Sequence, residues 1–238
     1  TRTAAAKEPV TIFAAASLTH AFQAVGDEFA QAEPGHPVRF SFAASSALRS
    51  QIELGAAADL FASADYEQMR PLVASKLVET PRTFARNRLT LIIPKANPAG
   101  ISSPQDLAKP GLRLVTTSEQ VPIGRYTRTL FANLARLPGY PADYPTRVSR
   151  NFVSREPNVR SVLTKTELAE ADAAVVYETD ARASRRVKSI PIPGEANVVA
   201  EYPIAVVRSA RNRAGAEAFA RFLQSGQGQA VLQRFGFQ

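Results

Sequence analysis

The sequence predicts an α/β fold built from two doubly wound lobes. Between residues 10 and 72 a short apolar stretch is followed by an amphipathic stretch three times in succession. The same alternation restarts after a charged, proline-bearing stretch at residues 80–87. Repeated strand-then-helix units are typical of a parallel sheet covered by helices. We therefore predict a first lobe at residues 1–84, a second lobe at residues 85–200, and a return to the first lobe at residues 201–238.

The first unit is the stretch TIFAAASLTHAF at Thr11 to Phe22. Its apolar start fits a buried strand, and Leu18, Phe22, Val25 and Phe29 then recur three to four residues apart, which indicates one face of a helix. Ser17 stands at the expected start of this helix. A serine there can cap the helix, or it can join the free helix N–H groups in holding an anion.

The second unit repeats this arrangement. The strand 38–42 is followed by small residues and a helix that runs to Gly55, so that Ser45 occupies the place of Ser17. A third strand at 59–62 precedes a helix that Asp65 is predicted to cap. In doubly wound sheets ligands gather beyond the carboxyl ends of the strands. Ser17 and Ser45 are both predicted to lie there.

Strands and helices also alternate in the remainder of the chain. Gly139 to Thr146, with three prolines and two tyrosines, is predicted to be a surface loop. The predicted strands are 89–93, 112–116, 151–154, 173–177 and 202–207, and the predicted helices begin near Pro104, Val121 and Val159 and span 214–223 and 226–234.

Composition excludes several classes of function. The chain has 238 residues, no cysteine and two histidines, which excludes disulfides and thiolate metal sites and leaves carboxylates as the main metal ligands available. No apolar run is long enough to span a membrane. Thr1 to Pro9 has no apolar signal core, so we expect that any secretion signal has already been removed, with a lipid anchor left open. The absence of cysteine fits an exported protein as well as a cytosolic one, so composition does not decide the compartment.

The net charge of +8 raises the question of nucleic-acid binding. The basic groups are dense only at Arg182 to Lys188 and Arg208 to Arg213, and no aromatic residue is interleaved for base stacking. We expect both to be solvated surfaces and expect no nucleic-acid partner.

An enzyme is the rival class. Ser17 and His20 could suggest a nucleophile and its base, but residues three apart at a helix start do not form a strained elbow, and no G-x-S-x-G motif occurs. A binding protein is therefore favoured over a serine-dependent hydrolase.

Several motifs occur in a recognisable order along nearly the whole chain. They are VTIFAAASLTHAF, SFAASSALRSQIELGAAADLFASAD, VPIGRYTRTL, EPNVRSVL, AAVVYETDA, AEYPIAVV and the late RFGF. In this order they resemble the periplasmic molybdate-binding proteins of ABC transporters. The resemblance implies a type 2 periplasmic binding protein fold, in which two lobes joined by crossover strands close on molybdate or tungstate and deliver it to a membrane permease.

The resemblance also implies five ligand-binding residues. Ser17 and Ser45 match serines that offer a hydroxyl and a backbone N–H to the anion, although Ser46 could take the role of Ser45. Ile123 and Val159 match donors of a backbone N–H, and Tyr177 matches a tyrosine whose hydroxyl reaches the anion. The molybdate-binding proteins that the chain resembles carry alanine where this chain has Ile123. Arg160, beside Val159, could lend positive potential to the site, but we expect a solvated helix-surface residue.

The resemblance also implies a location, an oligomeric state and partners for the protein. The protein is expected to be an extracytoplasmic monomer without catalytic activity, cofactor or direct metal ligand, and its partners are the oxyanion and a permease. A carrier of sulfate, thiosulfate or phosphate with the same fold is the alternative.

Overall fold

The structure, a computed structural model, describes residues 8–238. Residues 1–7 of the predicted polar lead-in lie outside that range. The chain divides into two compact units, of which unit 1 comprises the residues up to Ala85 together with Glu201–Gln238, and unit 2 comprises Arg86–Ala200. The chain passes between the units twice.

Unit 1 contains a four-stranded sheet with the order β2-β1-β3-β9. Strand β1 pairs in parallel with β2 on one side and with β3 on the other, while β9 pairs antiparallel to β3. The strands are β1 (Val10–Ala15), β2 (Val38–Ala43), β3 (Leu60–Ala62) and β9 (Val199–Val206). The helices are α1 (Thr19–Ala32), α2 (Ser45–Glu53), α3 (Tyr66–Ala74), α8 (Arg213–Gln224) and α9 (Gly226–Arg234), with a short 3-10 turn at Ala16–Leu18.

The core of unit 1 is aromatic on one side of the sheet. The rings of Phe22 and Phe29 on α1 contact Phe219 on α8 at centroid distances of 5.9 and 5.2 Å, and Phe40 on β2 joins them at 6.0 Å from Phe219. A second cluster packs Leu48 and other apolar side chains of α2 and α3 against β3. The helical stripe predicted for α1 is therefore the face that packs on the sheet.

Unit 2 contains a second sheet, in which β5 pairs in parallel with both β6 and β7. Strand β4 pairs antiparallel with β7 and with β8. The strands are β4 (Arg82–Pro94), β5 (Leu114–Thr117), β6 (Phe152–Glu156), β7 (Ala173–Tyr177) and β8 (Val187–Ile190). The helices are α4 (Pro122–Leu134), α5 (Tyr144–Ser149), α6 (Val159–Glu167) and α7 (Glu178–Arg182), with a 3-10 turn at Pro104–Ala108.

Three local predictions are corrected. The predicted break at 80–87 is largely the start of β4, where Phe84, Ala85 and Asn87 are buried between exposed arginines. The predicted loop 139–146 includes the start of α5, and Tyr144 is fully buried, with its hydroxyl donating to the Pro104 carbonyl. Strand β8 was not predicted.

The predicted α/β fold is confirmed, with antiparallel pairs added to the parallel ones. The capping role of Asp65 is confirmed, since its Oδ1 accepts from the Gln68 N–H at 2.8 Å. Within residues 8–238, no helix has the length and apolar character that crossing a membrane requires.

Candidate functional site

The carboxyl ends of β1, β2 and β3 lie at one edge of the unit 1 sheet, because β1 pairs in parallel with both neighbours. Ser17 lies two residues beyond the end of β1, and Ser45 lies two residues beyond the end of β2. Unit 1 therefore brings both predicted serines to the same edge.

Ser17 does not cap a helix. It lies in the 3-10 turn Ala16–Leu18, and α1 begins two residues later with Leu18 at its N-cap and no side-chain cap. The Ser17 hydroxyl instead lies 3.0 Å from the Tyr202 hydroxyl, and both side chains are buried. The plain capping role is wrong for this serine, because a distant tyrosine fixes its hydroxyl.

Sequence reasoning assigned no role to Tyr202. It lies on β9, is fully buried, and packs edge-on against Phe84 and Phe237 at centroid distances of 6.2 and 5.4 Å. The stretch AEYPIAVV was noted as a motif, but nothing local to it indicates a partner 185 residues earlier in the chain. Two aromatic neighbours hold the ring, so the Tyr202 hydroxyl is a fixed partner for Ser17.

Ser45 is the first residue of α2 and is 1% exposed. Its Oγ accepts a hydrogen bond from the Ala64 N–H, just beyond β3, at 3.0 Å. Because β1 lies between β2 and β3, this bond connects the two flanking strands across the carboxyl end of β1. With one lone pair engaged, the hydroxyl retains its proton for another acceptor.

Ser46 is placed differently from Ser45. It is partly exposed on the second position of α2, and its carbonyl accepts from the Ser50 hydroxyl at 3.1 Å. The backbone N–H groups at the start of α2 precede the first intrahelical bond, in which the Leu48 N–H donates to Ala44. Hydroxyl and helix-start donors thus occur together at this edge.

Unit 2 has the same arrangement. Strand β5 lies between β6 and β7 and is parallel to both, so their carboxyl ends share one edge. Tyr177 ends β7, Ile123 lies in the first turn of the helix that follows β5, and Val159 begins the helix that follows β6. Unit 2 therefore brings Ile123, Val159 and Tyr177 to one edge.

Ile123 occupies the second position of α4, with Pro122 at the first. Its side chain is buried, and the N–H groups of Gly124 and Arg125 turn back to the Val121 carbonyl at 3.0 and 3.2 Å. A Cβ at Gly124 would lie 2.2 Å from the Ser118 carbonyl oxygen, so only glycine permits this tight turn. The turn leaves the Ile123 amide in the first turn of a 13-residue helix.

Val159 is the first residue of α6, and its side chain is buried. Asn158 caps the helix by accepting from the Ser161 N–H at 3.1 Å. Tyr177 is 1% exposed, and its ring contacts Tyr126 edge-on at 6.4 Å between centroids. The apolar side chain of Val159 therefore belongs to the core while its backbone lies at the sheet edge.

One buried acid lies next to these residues. Asp180 is 3% exposed, and burial raises its pKa to about 7, although Arg160 and the Tyr177 backbone N–H act in the opposite direction. The Arg160 guanidinium lies 4.0 Å from the carboxylate, with a side chain that is 34% exposed. The prediction that Arg160 is simply solvated is corrected, because it faces a buried carboxylate.

The described residues also limit the chemistry available. Within residues 8–238 no group of three or more histidine, cysteine, aspartate or glutamate side chains could hold a metal ion. The candidate donors at both edges are neutral hydroxyls and backbone N–H groups. Such a set suits an acceptor-only anion.

A family model described as "Bacterial extracellular solute-binding protein" matches residues 10–238. The chain belongs to this family. This solute-binding protein is 36% identical over 230 residues to the molybdate-binding protein ModA of Mycobacterium tuberculosis (strain H37Rv), an alignment covering 96% of this chain and 84% of that relative. The predicted resemblance to molybdate-binding proteins is confirmed by this similarity.

Two solved structures share the fold of this solute-binding protein. The periplasmic molybdate-binding protein of Azotobacter vinelandii matches with a TM-score of 0.81 at 21% identity, covering 96% of this chain and 98% of that one. The sulfate-binding protein SubI of Mycobacterium tuberculosis H37Rv matches with a TM-score of 0.83 at 23% identity, covering 97% and 86%. At these identities the two likenesses establish the fold alone.

Proposed function

We propose that this chain is the extracytoplasmic solute-binding protein of an ABC transporter, that it binds molybdate and also tungstate, and that it delivers the anion to a membrane permease. The observation that carries the proposal is the hydrogen bonding of the two serine hydroxyls. Each hydroxyl is held by a neutral partner, Ser17 by the Tyr202 hydroxyl and Ser45 by the Ala64 N–H. The named function of the relative at 36% identity agrees with this ligand.

The chemistry of the donors explains the choice of anion. A fully ionised tetrahedral oxyanion has acceptors only, so hydroxyls and helix-start N–H groups satisfy it without a buried cation. A protonated oxyanion would direct its own proton at another donor and leave a buried group unpaired, at a cost of about 1–3 kcal/mol per mismatch. Discrimination against the smaller sulfate would then depend on the size of the site.

We further propose that units 1 and 2 are the two lobes of the protein and that each has anion donors at the carboxyl edge of its own sheet. Ser17 and Ser45 supply the donors of unit 1, and Ile123, Val159 and Tyr177 supply those of unit 2. The protein would act as a monomer, and a stoichiometry of one anion per chain is expected.

A hydrolytic function is the less favoured alternative. The Ser17 hydroxyl pairs with Tyr202, and His20 is exposed on α1. The Ser17 hydroxyl is therefore paired with a phenol and not with a histidine, the usual general base of a serine nucleophile. We therefore propose a binding role without catalysis.

Isothermal titration with molybdate, tungstate, sulfate and phosphate tests the proposal. We expect saturable binding of molybdate and tungstate at one anion per chain, and binding of sulfate and phosphate that is at least tenfold weaker, a difference of about 1.4 kcal/mol. Tighter binding of sulfate or phosphate would favour the alternative carrier, which the fold itself accommodates as readily.

Salt supplies a second measurement. Neutral buried donors predict an affinity that changes little between low and moderate ionic strength, because buried interactions are weakly screened. A steep loss of affinity with salt would instead place the anion on the exposed arginines.

A further inference from the structure

Asp180 combines nearly complete burial with a pKa that this burial raises. It lies in the first turn of α7, three residues after Tyr177, which is the N-cap of that helix. Its side chain is 2% exposed, and its Oδ2 has no hydrogen-bond partner among the described residues. Burying a carboxylate with an unpaired oxygen costs folding free energy unless the group is protonated or its charge is compensated.

The contacts of Asp180 connect two of the candidate donor segments. The Tyr177 backbone N–H interacts favourably with the carboxylate, as an acid in the first turn does when it reaches back to the N-cap. On the other side, Arg160 Nη1 lies 4.0 Å from Asp180 Oδ1, and Arg160 directly follows Val159. The carboxylate therefore bridges the starts of α6 and α7.

Arg160 is the cation that faces Asp180, at 4.0 Å. Charged residues on the surrounding elements include Lys165 and Glu167 on α6, Lys188 on β8, Arg88 on β4, and Glu178 and Arg182 on α7. Glu178 and Arg182 pair with each other at 3.9 Å, and Lys165 pairs with Glu156 at 2.7 Å.

We propose that Asp180 is a positioning residue for the oxyanion site, and that binding of the anion draws a proton onto its carboxylate. The inference rests on the proposed function, since Val159 and Tyr177 are its assumed anion donors. An ionised Asp180 cancels the charge of Arg160, so the pair offers the incoming dianion no net attraction. A protonated Asp180 leaves Arg160 as a net positive charge next to Val159, which favours the anion.

The sign of the pH dependence follows. The folded protein keeps the Asp180 proton up to a pKa of about 7, whereas an ordinary aspartate loses it near 3.8. The contribution of this proton to stability is present at low pH and is lost as pH rises through about 7. Anion binding should raise the pKa further, so affinity falls between pH 6 and pH 8. Each unit of that rise corresponds to at most about a tenfold change in Kd.

Isothermal titration of molybdate at pH 6, 7 and 8, in pairs of buffers with different ionisation enthalpies, measures both affinity and proton uptake. We expect the Kd of the native protein to rise about three- to tenfold from pH 6 to pH 8, with net proton uptake at pH 7 and above. Asp180→Asn keeps an acceptor for the Tyr177 N–H but cannot titrate. Its Kd should be constant over this range, with no proton uptake.

Asp172→Asn is the matched control. Asp172 is also buried in unit 2 and pairs with an arginine, Arg113, at 2.6 Å, but it precedes β7 and so lies at the opposite end of that strand from Tyr177. It should keep the native pH dependence. A pH slope that persists in Asp180→Asn, or a flat native profile with normal binding, overturns the inference while leaving the proposed function intact.

Arg160→Gln provides a second variant should Asp180→Asn fail to fold. Removing the guanidinium removes a group that lowers the pKa of Asp180, so the fall in affinity should move to higher pH. An unchanged midpoint in this variant overturns the inference. If molybdate binds to none of these proteins at any pH, the proposed function fails and the inference fails with it.

Discussion

Ser45→Ala removes a single hydroxyl from the carboxyl edge of unit 1 and should lower both stability and affinity. In the native protein the Ser45 Oγ accepts from the Ala64 N–H at 3.0 Å, and its proton is available to the ligand. Loss of the buried neutral bond should cost about 0.5–1.5 kcal/mol of unfolding free energy. Loss of a bond to a charged ligand should cost about 1.5–3 kcal/mol of binding free energy, which is roughly a 10- to 150-fold rise in Kd.

Two measurements separate these effects. Thermal unfolding without ligand reports the loss of the bond to Ala64, and isothermal titration with molybdate reports the loss of the ligand bond. Ser46→Ala is the control, because this neighbour is partly exposed and it is its carbonyl that accepts a hydrogen bond, from the Ser50 hydroxyl. Equal losses of affinity in the two variants, or native affinity in Ser45→Ala, would show that the Ser45 hydroxyl is not a ligand.

Three further substitutions probe the site in other ways. Tyr202→Phe removes the hydroxyl that lies 3.0 Å from Ser17 Oγ. The molybdate Kd measured by titration should rise about 2- to 12-fold, which corresponds to the loss of one neutral hydrogen bond. An unchanged Kd would mean that the Ser17 hydroxyl needs no partner. Ile123→Ala keeps the backbone N–H donor and should bind molybdate nearly as the native chain does. Ile123→Pro removes that donor and should lower the affinity at least about 10-fold. Equal losses of affinity in the two variants would show that the site uses the isoleucine side chain. Gly124→Ala would put a Cβ 2.2 Å from the Ser118 carbonyl oxygen, so the first turn of α4 must shift. Molybdate affinity should therefore fall although no hydrogen-bond donor is lost. Circular dichroism checks that the variant is folded.

Local sequence patterns were sufficient for most of the secondary structure. The alternation of apolar strands and amphipathic helices located β1, β7 and α9, and the last of these begins and ends at the predicted residues, Gly226 and Arg234. The start of β4 was missed because its arginines and Pro81 resemble a surface loop, and only tertiary packing buries the residues between them. Tyr144 was predicted to lie in a loop because the partner of its buried hydroxyl, the Pro104 carbonyl, is 40 residues away in the chain.

The candidate site was predictable in part. The recurrence of a serine after successive strands indicated Ser17 and Ser45 from the sequence, and the structure places both at one sheet edge. Their hydrogen-bond partners were not predictable, because Tyr202 lies 185 residues from Ser17 and belongs to a different strand. Asp180 was likewise missed, since its importance depends on burial and on the distance to Arg160. The ligand roles of all five residues remain predictions that the substitutions above address.

The order of the chain has a consequence for how the protein is made. Strand β9 completes the sheet of unit 1 beside β3 and supplies Tyr202, yet it is synthesised after the whole of unit 2. Unit 1 therefore exposes an unpaired edge at β3 until residues 201–206 are available to pair with it. A released chain that ends at residue 200 should show native protection in unit 2 and none around Ser17, because it lacks the tyrosine partner of that serine.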